Sequence, residues 1–377
     1  MTHRVIIIGG GIIGASFAWH ASKHGIDDLT VLAEALPGEA AQATTGSWGW
    51  VNGYADDDPD YAAFRVASLR YWPEMIAAIN DLGATAEGAF IWDLDEEALP
   101  RSINQHRSWG HDVEVLDHNR LNPSLPKMRE LPEKAGFGAH DLAIEGKAAA
   151  RAILDASGAD IHRTKVTRMI RKDDRITGVE TEDGIHHGDE MILTAGLGTA
   201  GLLAGVDVDF TMKSSLGLLA HTEKLPPLLD HPVAGIDFHA RQDKDGRLVI
   251  GGAFTATADD DPDPAASAEK LVQAMAARLD YEGEIRLDFY TLGKRPLPMD
   301  GRPKIGRVMS RDGVQLDGLY MAVMHSGMTN APLAGRLGME EVLTGQRDAL
   351  LAPYAPHSHN ANAKPANARG RKNKGEA

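Results

Sequence analysis

Gly9-x-Gly11-x-x-Gly14 is the densest chemical signal in the chain. At this spacing Gly9 makes a tight turn, Gly11 lets backbone approach a pyrophosphate, and Gly14 lets a helix pack closely on a strand. Ile12 and Ile13 open that helix, whose free N–H groups and positive dipole end suit phosphate. Glu34 stands twenty residues past Gly14, where an acid would hold the adenosine ribose. The elements that must position these groups are legible beside them. Val5-Ile6-Ile7-Ile8 is a β-branched run fit for a strand buried on both faces. Ile13, Phe17 and Ala21 recur at helical spacing, and Leu29–Leu32 makes a second strand. Alone, GxGxxG is common; with a strand before, a helix after and the distal acid, it points to a dinucleotide.

The bulk numbers bound the rest. At 377 residues the chain is too long for one ordinary core, so two domains are expected. Hydrophobic residues at 43% and charged residues at 25% fit a globular protein. No apolar run approaches the ~20 residues of a membrane helix. The first apolar run breaks at Gly9, unlike a signal peptide, so a cytoplasmic setting without a membrane span is expected. The absence of cysteine excludes disulfides, thiolate metal sites, cysteine nucleophiles and a cofactor tethered through cysteine. Residues 360–377 contribute +4 to a total charge of −15, so the remainder carries −19, which argues against a nucleic-acid partner. The tail at 356–377 reads as disordered and solvated.

A loop rich in small residues spans Pro37–Gly53, and a helix starting at Asp58-Pro59 runs to about Asn80. Asp56–Asp60 recurs as Asp259–Asp263 before a second helix near Ala265–Leu279; neither run has EF-hand spacing, and acids complementing a helix N-terminus account for both. Residues 84–144 read as irregular, with short strands at Ala89–Leu94 and Val113–Leu116. After helix Glu145–Ser157 the period becomes two, at Lys165–Arg171, Arg175–Glu182 and Glu190–Thr194, which reads as an antiparallel meander. Strands at Thr211–Thr222, Val233–Arg241, Leu248–Phe254 and Glu284–Leu292 suggest a broad antiparallel sheet. Gly318–Met324 is a final buried strand before a helix at Ala331–Leu343. His186-His187 falls in a polar turn and His357-x-His359 in the tail; neither has a third ligand at useful spacing, so no metal is expected.

This order of motifs resembles the D-amino-acid oxidase/glycine oxidase/sarcosine oxidase family of FAD-dependent amine oxidoreductases. The carriers are Ile8–Gly14, Thr45–Trp50, Ile192–Gly196, Arg295–Gly306 and Leu319–Pro332, over about residues 4–350. The resemblance implies an α/β plus α+β fold: a Rossmann-like, glutathione-reductase-like FAD domain with a three-stranded β-meander (1–83, 145–210 and 295–355), and an inserted antiparallel-sheet substrate domain (84–144 and 211–294). Gly9, Gly11 and Gly14 would cradle the pyrophosphate. Thr45, Gly46 and Ser47 would bond phosphate and ribityl oxygens, and Val166 would meet adenine. Ala195 and Gly196 would pass close to the dinucleotide. Gly327, Met328 and Thr329 would present N–H groups at the flavin pyrimidine edge. Arg295 resembles the carboxylate-binding arginine, whose planar fork suits an amino-acid carboxylate. His325 would lie beside the flavin, although a histidine ending a strand also suits a satisfied core position. His239 falls where relatives place a substrate-site aromatic.

Three departures stand out. Aligned on Thr30-Val31-Leu32, the family's acid falls on Ala33, so ribose binding by Glu34 needs a one-residue shift, which the extra residue at Asp27-Asp28 would supply. The oxygen-activating lysine of sarcosine oxidases is replaced near Val249, and Met324 stands where a small residue is common. The last two argue against fast reaction with O2 and leave a dehydrogenase with another acceptor open. The activity implied is oxidation of a small D-amino acid, glycine or secondary amino acid such as sarcosine, by hydride transfer to flavin N5 and hydrolysis of the imine. Tight non-covalent FAD is expected in place of a histidine tether. A 2-hydroxy-acid dehydrogenase using His325 as base and a non-catalytic FAD-holding subunit are the rivals.

Overall fold

A computed structural model describes residues 3–39, 42–55, 58–253 and 257–356. The tail at 357–377, with His357 and His359, lies outside them, as do Asp56, Asp57 and Phe254.

The β-branched run Val5–Ile8 is buried at all four positions and sits inside a nine-stranded sheet. It pairs in parallel with Leu29–Leu32 on one side and Glu190–Leu193 on the other. The path runs Gly184–His187, Arg175–Thr181, Gln315–Val323, Glu190–Leu193, Val5–Ile8, Leu29–Leu32, Asp160–His162. Glu190–Leu193 is therefore a central parallel strand and not the third strand of the meander. Its four residues are buried, and the one charge among them, Glu190, is held by Arg307 at 3.1 Å. The third meander strand is Gly184–His187, so His186-His187 lies on a strand edge and not in a turn.

Two helices pack on this sheet behind the glycine loop. Ile12–Lys23 and Gly327–Thr344 approach closely: a Cβ on Gly335 would meet Ser16 Oγ at 2.3 Å, and one on Gly338 would meet Phe17 at 2.5 Å. The Ser16 hydroxyl donates to Ala331 O across the contact. The second helix begins a turn earlier than the Ala331 start that Pro332 suggests. Proline removes the N–H that Met328 O would accept; the buried Trp72 indole donates to that carbonyl at 3.1 Å, so the turn survives.

A second nine-stranded sheet runs Leu287–Pro298, Met212–Thr222, Leu248–Gly252, Phe238–Gln242, Val233–Gly235, Ala84–Trp92, Lys134–Ile144, Trp50–Val51, with Val113–Asp117 on Lys134–Ile144. Residues 84–144 are thus ordered, contrary to the irregular reading, and include helices Ala98–Ser108 and His118–Ser124. Ala84–Trp92 and Val113–Asp117 overlap the two short strands expected there, whereas Lys134–Ile144 passes unnoticed because Gly and Ala interrupt its alternation. The expected strand Val233–Arg241 is a hairpin that turns at Ile236-Asp237. The last strand reaches Pro298, so Arg295 lies on it, at the sheet edge, and does not follow a central strand. An edge tolerates Pro296 and Pro298, which a central strand would not. Asp58 and Asp263 cap their helices, accepting from Tyr61 and Ala266 N–H. Among the described residues no helix is long and apolar enough to cross a membrane.

Candidate active site

A cavity of about 1520 Å³ runs from the glycine loop to the face of the second sheet. At its base Gly9 takes φ +117°, and a Cβ there would lie 2.5 Å from Thr194 O. A Cβ on Gly14 would lie 1.9 Å from Gly9 O, so this glycine serves helix–strand packing and does not line the cavity. Ile12 N–H donates to Thr44 Oγ1 at 3.1 Å, which ties the helix start to the small-residue loop. Thr45 turns away: its hydroxyl accepts from Gly38 N–H, and Thr44 lines the cavity in its place.

The remaining expected contacts converge on this space. Gly11, Ile12, Ile13, Gly46, Ser47, Val166, Ala195, Gly196, Gly327, Met328 and Thr329 all line it. Glu34 lines it too, paired with Lys165 at 3.0 Å, while Ala33 is buried in the strand end. The one-residue shift thus puts Glu34, and not position 33, at the wall.

At the other end stand the three candidate catalytic residues. Arg295 is half-buried beside Gly217, where a Cβ would lie 3.3 Å from its Nε. His239 gives its Nδ1–H to Gly252 O at 2.6 Å and meets Trp48 edge-on. Burial holds its pKa down to about 4, so it is neutral at pH 7. His325 is held to about 4 as well, by burial first and then by the charges of Arg295 and Arg65. Both histidines are weak bases here.

Residues with no motif to mark them in the sequence complete the walls. Arg65, on helix Pro59–Ala78, reaches the cavity and donates to Asn52 Oδ1 at 2.6 Å; Asn52 N–H in turn donates to Thr329 Oγ1. On a helix an arginine reads as solvated, so only the third dimension reveals it. Gly46 and Gly293 touch backbone to backbone: a Cβ on Gly46 would lie 2.7 Å from Gly293 Cα. The small-residue loop and the arginine-bearing strand are joined there. Val249 is buried against Trp48 and Leu219 and does not itself line the cavity.

The described residues fit FAD. The loop at Gly9–Gly14 admits backbone where side chains would collide, and the volume exceeds the ~300–1,000 Å³ of ordinary small-molecule sites. The parallel strand–glycine loop–helix unit joined to an antiparallel sheet, with a continuous cleft between, defines a flavin-dependent oxidoreductase architecture. Residues 4–340 match the DAO family, FAD dependent oxidoreductase, and the chain belongs to it. It is similar to one of the subunits of opine oxidase from Rhizobium meliloti, 26% identical over 94% of this chain and 97% of that one. It is similar also to glycine oxidase of Pseudomonas putida, 26% identical over 94% and 99%. The crystal structure of iminodiacetate oxidase from Chelativorans sp. BNC1 superposes with a TM-score of 0.79 at 25% identity, covering 94% of this chain and 99% of that one. The chain is an FAD-dependent oxidoreductase of the amino-acid-oxidase type.

Proposed function

We propose that this oxidoreductase oxidises a small amino acid, with a primary or secondary amine, whose carboxylate is gripped by Arg295. The observation that carries the reading is the half-buried Arg295, on a strand anchored to the cofactor loop and opening onto the same cavity. When bound, FAD supplies the acceptor for a hydride leaving the carbon beside nitrogen. Gly9, Gly11 and the N–H of Ile13 would hold its pyrophosphate beside Ile12, whose own N–H is engaged by Thr44 Oγ1, with Ser47, Val166, Ala195 and Gly196 along its length and Glu34 at the ribose. Gly327, Met328 and Thr329 would stand at the pyrimidine edge, where a helix N-terminus favours negative charge. FAD would contact 1–83, 145–210 and 295–355, and the substrate would lie between Arg295 and the sheet built mainly from 84–144 and 211–294.

The burial and, after it, the positive charge that keep His325 neutral also disfavour a bound ammonium, so the amine sits deprotonated and no general base is required. The imine then hydrolyses in solution, and O2 or another acceptor takes up the electrons. Oxidation of a 2-hydroxy acid would need His325 to take a proton from an alcohol, a task poorly matched to a pKa of about 4. Glycine oxidase and iminodiacetate oxidase among the similar proteins support an amine substrate.

Anaerobic mixing of the yellow holoenzyme with glycine, sarcosine, D-alanine and D-proline should bleach the flavin with at least one of them. Arg295→Ala should raise KM roughly 100-fold, the loss expected when one partner of a buried charge pair is truncated, with FAD content unchanged. Unaltered KM would remove the carboxylate role. A second reading, a flavoprotein component of a larger oxidase, is favoured by the likeness to an opine oxidase subunit; there the holoenzyme would be bleached only with its partner protein present.

A further inference from the structure

Arg65 is 5% exposed, yet among the described residues no carboxylate lies within ion-pair distance of it. Among the described residues its guanidinium has only neutral hydrogen-bond partners. Nη2 donates to Asn52 Oδ1, Nη1 to Tyr61 Oη at 3.4 Å, and the group lies 5.3 Å from the Tyr61 ring centre. Nε is buried with no hydrogen-bond partner. Most other shielded arginines are treated differently, Arg336 over the Tyr71 ring excepted. Arg241 pairs with Glu145, Arg302 with Asp58, Arg307 with Glu190 and Arg347 with Glu341. An uncompensated buried cation is costly, and an anion arriving from outside removes that cost. The cavity supplies the route, because Arg65 forms part of its wall on the side of Asn52 and Thr329, while Arg295 enters from the edge strand of the second sheet. His325 stands where the charges of both guanidinium groups are felt.

We infer that the substrate is an amine bearing two carboxylates, one held by Arg295 and the second by Arg65, with the oxidisable carbon between the two arginines. This rests on the amine-oxidation reading above and adds the second anionic group to it. The second carboxylate belongs either to the nitrogen substituent, as in an iminodicarboxylate, or to the carbon side chain, as in aspartate; the chemistry at Arg65 is the same. Asn52 positions the guanidinium, and because Asn52 is also tied to Thr329, occupation of Arg65 bears on the turn at the start of the Gly327–Thr344 helix.

Two measurements on the holoenzyme decide this. The first needs no variant and no turnover. Thiodiglycolate, a dicarboxylate without an amine, and (methylthio)acetate, its monocarboxylate counterpart, are titrated by calorimetry and by perturbation of the flavin absorption. The inference expects thiodiglycolate to bind at least 30-fold tighter, on the order of one buried charge contact. Equal affinities would overturn it, whether or not any amine is oxidised. The second compares kcat/KM for iminodiacetate, D-aspartate, L-aspartate and sarcosine in the native enzyme, Arg65→Met and Arg65→Lys. A loss of roughly 30-fold or more confined to dicarboxylates, with partial recovery in Arg65→Lys, supports the role; preference for iminodiacetate or for an aspartate identifies which arm carries the second group. An equal loss for sarcosine and iminodiacetate, or loss of FAD from both variants, would make Arg65 a structural or cofactor residue and overturn the inference. If sarcosine bleaches the flavin while dicarboxylates gain nothing, amine oxidation stands and the second carboxylate falls.

Discussion

Buried histidines give this protein a definite response to acid. Burial and neighbouring cations lower His20 to about 3 and His221, His239 and His325 to about 4, from an ordinary 6.5. A histidine lowered on folding is neutral in the native state and takes a proton more readily when unfolded. Its contribution to stability is fully present above pH 6.5 and is lost as the pH falls towards 4. The melting temperature should therefore drop steadily across that window, and His20→Gln should flatten the slope by one proton's share, measured by thermal melts at half-unit steps. His20 suits this test because its ring bonds Pro332 O away from the cavity. A melting temperature independent of pH from 6.5 to 4 would refute the assignment.

One carbonyl governs the helix whose first turn lines the cavity. Pro332 takes away the partner of Met328 O, and the Trp72 indole replaces it from helix Pro59–Ala78. Trp72→Phe keeps most of the packing and deletes the donor. The expected cost is about 1–3 kcal/mol, the penalty of a buried unpaired carbonyl, together with weaker FAD binding because the first turn frays. Chemical denaturation and FAD titration of the apoprotein check the two effects separately. This element also shows what the sequence could and could not carry. Ile8–Gly14 is legible because turn, strand and helix are contiguous. The early start of Gly327–Thr344 is not, since the indole that rescues it lies 256 residues away along the chain.

Across the whole molecule, the legible parts of the site are those written in single short stretches. The glycine loop, Gly46-Ser47, Ala195-Gly196 and Gly327–Thr329 reach the same cavity from four separate segments. What escapes a reading of the sequence depends on pairing between distant stretches. Lys134–Ile144, with Gly136, Gly138 and several alanines, has no alternating signature, yet it pairs with three strands of the second sheet. Glu190–Leu193 resembles one more meander strand because four residues do not reveal whether a neighbour runs parallel. Thr44 and Thr45 are adjacent hydroxyls, and only the direction of the loop decides which faces inward.

The backbone contact of Gly46 with Gly293 has a mechanical consequence for the two halves of the reaction. Because neither residue can carry a side chain without parting the contact, the small-residue loop and the strand that carries Arg295 are expected to shift as one piece. Gly293→Ala should therefore degrade both FAD retention and carboxylate affinity, with KM rising along with the FAD dissociation constant; a change in one without the other would show the two to be independent. Emptying the enzyme of its flavin should likewise slacken its hold on acids, so that the protein grips its fuel only when the tool that burns it is in place.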